Sequence, residues 1–234
     1  GGPHFTLNPA ISFFVHCGTA EEVNQLWREL SHDGTVLMPL DTYPFSEHYG
    51  WLQDRFGVSW QLIVSPAASG SRIVPSFLFV GDECGNAETA MRFYASVFPE
   101  GTVGDIARYG PGYAPNPEDS VMYGEFRLLG RPFVAMDSAE DHEFSFNEGI
   151  SLVVDTSTQQ EIDRYWSGLS ADPDAEQCGW LKDRFGVSWQ IIPETEITHL
   201  LAHTDEATKK RTLEAMFRMK KIDLNELRGG HEQS

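Results

Sequence analysis

Basic residues are scarce. Seventeen Lys and Arg stand against 35 Asp and Glu, for a formal net charge of −18. A nucleic-acid surface needs a concentrated basic patch, as does adhesion to anionic lipid, so neither partner is expected. Cysteine is equally sparse: Cys17, Cys84 and Cys178, an odd number without a CxxC pair. That set suits reduced thiols in a cytoplasmic protein, not a disulfide framework. No apolar run approaches the ~18 residues of a spanning helix. The opening Gly1-Gly2-Pro3-His4-Phe5 has neither a basic n-region nor an apolar h-region, so a secretory leader is not expected. An HExxH motif is missing, as is a GxSxG elbow, and the one HxxxH pair, His199 and His203, lies next to the tail helix without a neighbouring carboxylate or cysteine motif and reads as surface residues. What is plentiful is core material. Apolar residues make up 41% of the chain and aromatics 12%, which argues against long disorder.

An internal repeat organises the chain. GWLQDRFGVSWQLIV (50–64) and GWLKDRFGVSWQIIP (179–193) are identical at twelve of fifteen positions. Upstream, FTLNPAISFFV (5–15) matches FSFNEGISLVV (144–154). The first copy is longer by ten residues, and the extra length falls in TVLMPLDTYPFSEHYG, read as a Pro-rich loop. Each copy reads as a strand, a helix and further strands. ISLVVD is short and β-favouring, and QQEIDRYWSGL places Ile162, Tyr165, Trp166 and Leu169 at helical spacing. In DRFG, Asp183 and Gly186 suit the ends of a type I turn; a catalytic acid–base pair is the competing reading. The middle segment is a weaker cousin: PSFLFV, a helix-like AETAMRFYASVF, then three strand-like runs. The tail from Thr204 to Leu227 reads as helical, with a stripe through Leu213, Met216, Phe217 and Lys220.

These motifs resemble the vicinal oxygen chelate superfamily, also called glyoxalase/bleomycin resistance/dioxygenase. DRFGVSWQ twice, FLFVGDECGNAETAMRFYASVFP, FNEGISLVVDT and MKKIDLNEL narrow the resemblance to its PhnB-like, 3-demethylubiquinone-9 3-methyltransferase-like branch. The resemblance implies an α+β fold of paired βαβββ modules, a curved mixed sheet around a cavity with helices outside. On that reading residues 1–66 are a lone module, 67–74 a linker, 75–194 a complete two-module unit and 195–234 a helical tail. The lone module implies either a longer parent protein or a partner in another subunit, most simply a homodimer.

The resemblance also places metal ligands on the first and last strands of each module. Here those places fall near Pro75, Ala135, Gly149 and Gln190, and in the first copy at Ala10 and Gln61. Only the two glutamines carry a donor, so no metal is expected, and no other cofactor. A doubly wound methyltransferase would need a Gly-rich loop before a helix, whereas GPGYAPNP lies between strand-like runs. Period-two alternation from these places gives a mostly apolar lining: Phe77, Phe79, Phe133, Ser151, Val153, Ser188 and Gln190, with Gln61 in the first copy. It holds no charged group, which implies a small, neutral or weakly polar organic ligand. Catalytic residues are not identifiable. Three functions stay open: a metal-free small-molecule-binding protein, an enzyme on the same scaffold (isomerase, lyase or resistance-type transferase), and an assembly scaffold.

Overall fold

The structure, a computed structural model, describes residues 5–65, 72–202 and 205–232. Most of the expected linker lies outside the described residues. The chain divides into two compact units, residues 1–149 and 150–234.

The first unit contains two βαβββ modules. One is β1 (Ile11–Cys17), α1 (Ala20–Leu30), β2 (Thr35–Tyr43), β3 (Ser46–Gln53) and β4 (Ser59–Val64). The other is β5 (Ile73–Val80), α2 (Ala87–Val97), β6 (Thr102–Arg108), β7 (Val121–Leu128) and β8 (Arg131–Ser138). They share one mixed eight-stranded sheet in the order β2-β3-β4-β1-β5-β8-β7-β6. The join is an antiparallel β1–β5 ladder in which Ser12 lies opposite Ser76. The expected partner of residues 75–138 was the third module, but β1 fills the β5 edge. Residues 35–50, expected as a loop, form the β2–β3 hairpin. Pro39 is tolerated because β2 is an edge strand, and its ladder to β3 is broken by register shifts.

The second unit holds β9 (Ser151–Asp155), α3 (Gln159–Leu169), β10 (Trp180–Lys182) and β11 (Ser188–Ile192), in a three-stranded sheet ordered β10-β11-β9. The ten residues that this copy lacks correspond to the missing hairpin strand. The tail folds into α4 (Glu194–Ala202), α5 (Glu206–Arg218) and α6 (Leu224–Glu232). The buried residues of α5 are Thr208, Thr212 and Ala215, whereas Phe217 is 61% exposed, so the expected stripe is rotated.

The repeated DRFGVSWQ has a structural explanation. Asp183 Oδ1 accepts from the backbone N–H groups of Phe185 (2.9 Å) and Val187 (3.0 Å), and Oδ2 from the Trp189 indole (2.8 Å). Asp54 repeats this with Phe56, Val58 and Trp60 at 2.9, 3.0 and 3.0 Å. One carboxylate therefore closes the turn and fixes the tryptophan on the following strand. The leading glycines are constrained too. A Cβ on Gly50 would lie 2.4 Å from the Trp27 ring, and Gly179 has φ +83°.

The lead-ins of the two copies meet reciprocally. Asn8 Nδ2 donates to the Ser145 carbonyl (2.8 Å) and Asn147 Nδ2 to the Thr6 carbonyl (3.0 Å). Each asparagine Oδ1 also accepts the N–H two residues on, from Ala10 and Gly149. By the repeat, Asn8 matches Asn147 and Thr6 matches Ser145, so the contact is self-complementary.

Trp189 is 2% exposed, so Trp189→Ala should cost about 3–5 kcal/mol. Asp183→Ala, which orphans three donors, should cost a similar amount, and Asp183→Asn about 1–3 kcal/mol because one acceptor oxygen remains. Urea melts check this; an Asn variant as damaged as the Ala variant would show that the indole bond contributes most of the effect.

Candidate functional site: the inner face of the eight-stranded sheet

Alternation divides the large sheet into two faces. Val15 and Cys17 of β1 cluster with Val23 of α1 and Leu62 of β4. Phe77 of β5 lies against Tyr94 of α2, with ring centroids 6.2 Å apart. Because Ile11 faces Phe77 across the β1–β5 ladder, both helices pack on the same, outer face. The inner face carries Phe14, Tyr49, Val74 and Val134 as a buried cluster, with Met38, Tyr43, Trp51, Ile63, Tyr123 and Met136 packed on it.

A polar relay is set into these aromatics. The Tyr49 hydroxyl donates to Gln61 Oε1 (2.6 Å), and Gln61 Nε2 donates to Ser12 Oγ (2.7 Å). Burial holds the Tyr49 phenol far above its ordinary range, so it stays protonated and fixes the amide's orientation. Opposite Ser12, the Ser76 hydroxyl is 1% exposed and has no hydrogen-bond partner among the described residues. Farther along the same face is a recess of about 80 Å³ whose lining includes His16, Val74, Tyr123, Glu125, Arg127 and Val134. His16 Nδ1 lies 2.7 Å from Ser65 Oγ, and the Tyr123 hydroxyl donates to Glu125 (3.1 Å). Burial raises the Tyr123 pKa, and the Glu125 carboxylate pushes it further up. Desolvation lowers the His16 pKa, with Glu125 pulling the other way.

The eight residues expected to line one cavity fall into three groups. Gln61 is on the inner face, at the centre of the relay. Phe77, Phe79 and Phe133 are on the outer face instead, where Phe77 stacks on Phe133 and both Phe77 and Phe79 meet Phe146. The cause is a one-residue offset: alternation was started from Pro75 and Ala135, but Ser76 and Val134 are the inward positions, and a slip of one flips a strand. Ser151, Val153, Ser188 and Gln190 do share one face of the second unit's sheet. There Gln190 Nε2 donates to Ser151 Oγ (2.7 Å), reproducing the Gln61–Ser12 bond, while Ser188 Oγ is buried without a partner among the described residues. Tyr49 corresponds to Cys178 in that copy, so the relay there lacks its phenol. The sequence reading missed Ser12, although the repeat pairs it with Ser151. It also missed His16, Tyr49, Tyr123 and Glu125, whose convergence depends on the β1–β5 join. The recess carries the charged residues Glu125 and Arg127.

Neither group that the family implies fits these residues. The central inward donors are two serine hydroxyls and one amide, and no cluster of three His, Cys, Asp or Glu able to hold a metal occurs among the described residues. The loop 109–120 joins the antiparallel strands β6 and β7, so it opens no helix that could receive a nucleotide-type methyl donor.

The family described as 3-demethylubiquinone-9 3-methyltransferase matches residues 1–63 and 71–192. The chain belongs to this PhnB-like family. Among solved structures, the chain is 34% identical to a putative 3-demethylubiquinone-9 3-methyltransferase, PhnB protein, from Bacillus cereus, over 49% of this chain and 94% of that one, with a TM-score of 0.41. Glyoxalase I from Zea mays is 11% identical over 82% of this chain and 71% of that one, with a TM-score of 0.50, and its V278E mutant gives 12%, 80%, 68% and 0.51. These two share the fold. No curated protein matches the chain. Among the described residues of this PhnB-like chain, no helix is long and apolar enough to cross a membrane.

The lowered His16 pKa sets a pH dependence. Below pH ~6.5 the unfolded chain binds a proton that the folded protein resists, so stability should fall as pH drops from about 7 to about 5. His16→Gln should flatten part of that fall. His142, lowered by its own burial, supplies a further part. Melting temperatures across this range check it; an unchanged slope in His16→Gln would place the imidazole in solvent.

Proposed function

We propose that this chain binds a small organic molecule on the inner face of its eight-stranded sheet, in contact with Gln61 and Ser76. The observation that carries the reading is the Ser76 hydroxyl. A buried hydroxyl without a partner costs about 1–3 kcal/mol, and a bound polar group would remove that penalty. The surroundings support the reading, since aromatic walls with a few oriented polar groups are the usual make-up of such a site. The Tyr49–Gln61–Ser12 chain fixes which end of the amide donates. The equivalent face in the second unit, with Ser151, Val153, Ser188 and Gln190, forms a plainer version of the same pattern.

A second reading, an enzyme on this scaffold, is favoured by the recess. His16 is kept neutral at physiological pH by its lowered pKa, which leaves a ring nitrogen able to accept a proton. Tyr123 and Glu125 stand on the same face as donor and acceptor.

Native mass spectrometry of the purified protein tests the binding reading. The expected result is a co-purifying small molecule that is released on unfolding and reduced in Gln61→Leu. Ser76→Ala should also lose the molecule while melting at the same or a higher temperature, because it removes a buried unpaired hydroxyl. Equal loads in the wild type and both variants would refute binding at this face. Retention of the molecule in His16→Gln with loss of any turnover would favour the enzyme.

A further inference from the structure

We propose that the free edge of β9 is where a second copy of this chain docks, through an antiparallel β9–β9 pair about a two-fold axis. In its own sheet β9 bonds only to β11. The Thr156 N–H donates to the Ile192 carbonyl, toward β11. In a strand these donors alternate, so the N–H groups of Ser151, Val153 and Asp155 point to the other edge. That edge lacks two of the usual protections, since its sequence SLVVD contains no proline and no lysine, and Val153 is 50% exposed.

The chain itself shows what covers such an edge. β1 is the repeat equivalent of β9, with ISFFV at 11–15 matching ISLVV at 150–154. Its corresponding edge is covered by an antiparallel strand, β5. Within the chain β5 cannot serve both, because β1 and β8 occupy its two sides. Every copy carries a vacant edge on β9 itself, beside those of the outer strands β2, β6 and β10, and among these β9 is the repeat equivalent of β1, the strand that pairs with β5. A two-fold axis makes such an edge self-complementary. Centred on Val153, all five residues of β9 pair: Val153 with its own copy, Leu152 with Val154, and Ser151 with Asp155. No acid faces an acid, which matters in a chain of net charge −18. The two half-exposed valines become a cross-strand pair, the arrangement that stabilises antiparallel sheets. The docking edge does not depend on the inner-face site of the other unit.

Sedimentation and two variants test the proposal. The full chain should sediment as a dimer at micromolar concentration. Val153→Pro removes an outward donor without touching the β9–β11 ladder, so it should weaken the dimer at least about tenfold with little change in melting. Val153→Cys places two thiols across the axis at the ~5.5 Å Cα separation of a hydrogen-bonded pair, within disulfide reach. It should cross-link in high yield under mild oxidation, whereas the wild type, with its three native cysteines, and Leu129→Cys on an exposed site of the other unit should not. A wild-type monomer, a Val153→Pro dimer of undiminished affinity, or Val153→Cys cross-linking no better than Leu129→Cys would each overturn the proposal. If Val153→Pro fails to fold, the cross-linking comparison still decides.

Discussion

The first unit depends on the antiparallel ladder between β1 and β5. A βαβββ module buries one face of its sheet under its own helix and leaves the other face, and one edge, without cover. Joining two modules edge to edge makes one continuous sheet. The join sets Ser12 opposite Ser76 and brings Phe14 and Val74 into one cluster with Tyr49 and Val134. Without the ladder these side chains belong to two separate surfaces. With it they form a buried interior in which an amide, a phenol and two hydroxyls are held among aromatic rings.

That interior explains why polar groups are informative here. In an apolar setting an unpaired hydroxyl is costly, and a paired amide is locked in one orientation. Tyr49 and Ser12 satisfy Gln61 at both ends, while Ser76 is left over. The second unit repeats the glutamine–serine bond but has Cys178 where the first has Tyr49, and its thiol turns to the Met216 carbonyl at 3.2 Å. Near-identical segments thus build a three-member relay in one unit and a two-member pair in the other.

Several signals that look chemical are architectural. The acid of DRFG is consumed by two backbone donors and an indole. Buried Asp137 accepts from the N–H groups of Gly85, Ala87 and Val121, tying the start of α2 to β7 and β8. Burial raises its pKa, while these three bonds oppose the shift. Such carboxylates hold loops and helix ends, whereas His16, Tyr123, Glu125 and Arg127 are titratable groups that line the recess.

The repeat, the βαβββ plan of the first two modules, the turn role of Asp183 and the burial of Trp189 were legible in the sequence, because each follows from local spacing, side-chain period or turn chemistry. The hairpin at 35–50 was not, since its prolines and exposed residues read locally as a loop and only pairing with β4 makes it sheet. The inward residues of β5 and β8 were not either: a period of two fixes which residues share a face, but which of the two faces meets the helix is decided by packing. Module pairing was hidden for a related reason. The first and third modules carry nearly the same edge strand, so local sequence offers β5 two equivalent partners, and only the three-dimensional arrangement decides that β1 takes the edge and β9 is left open.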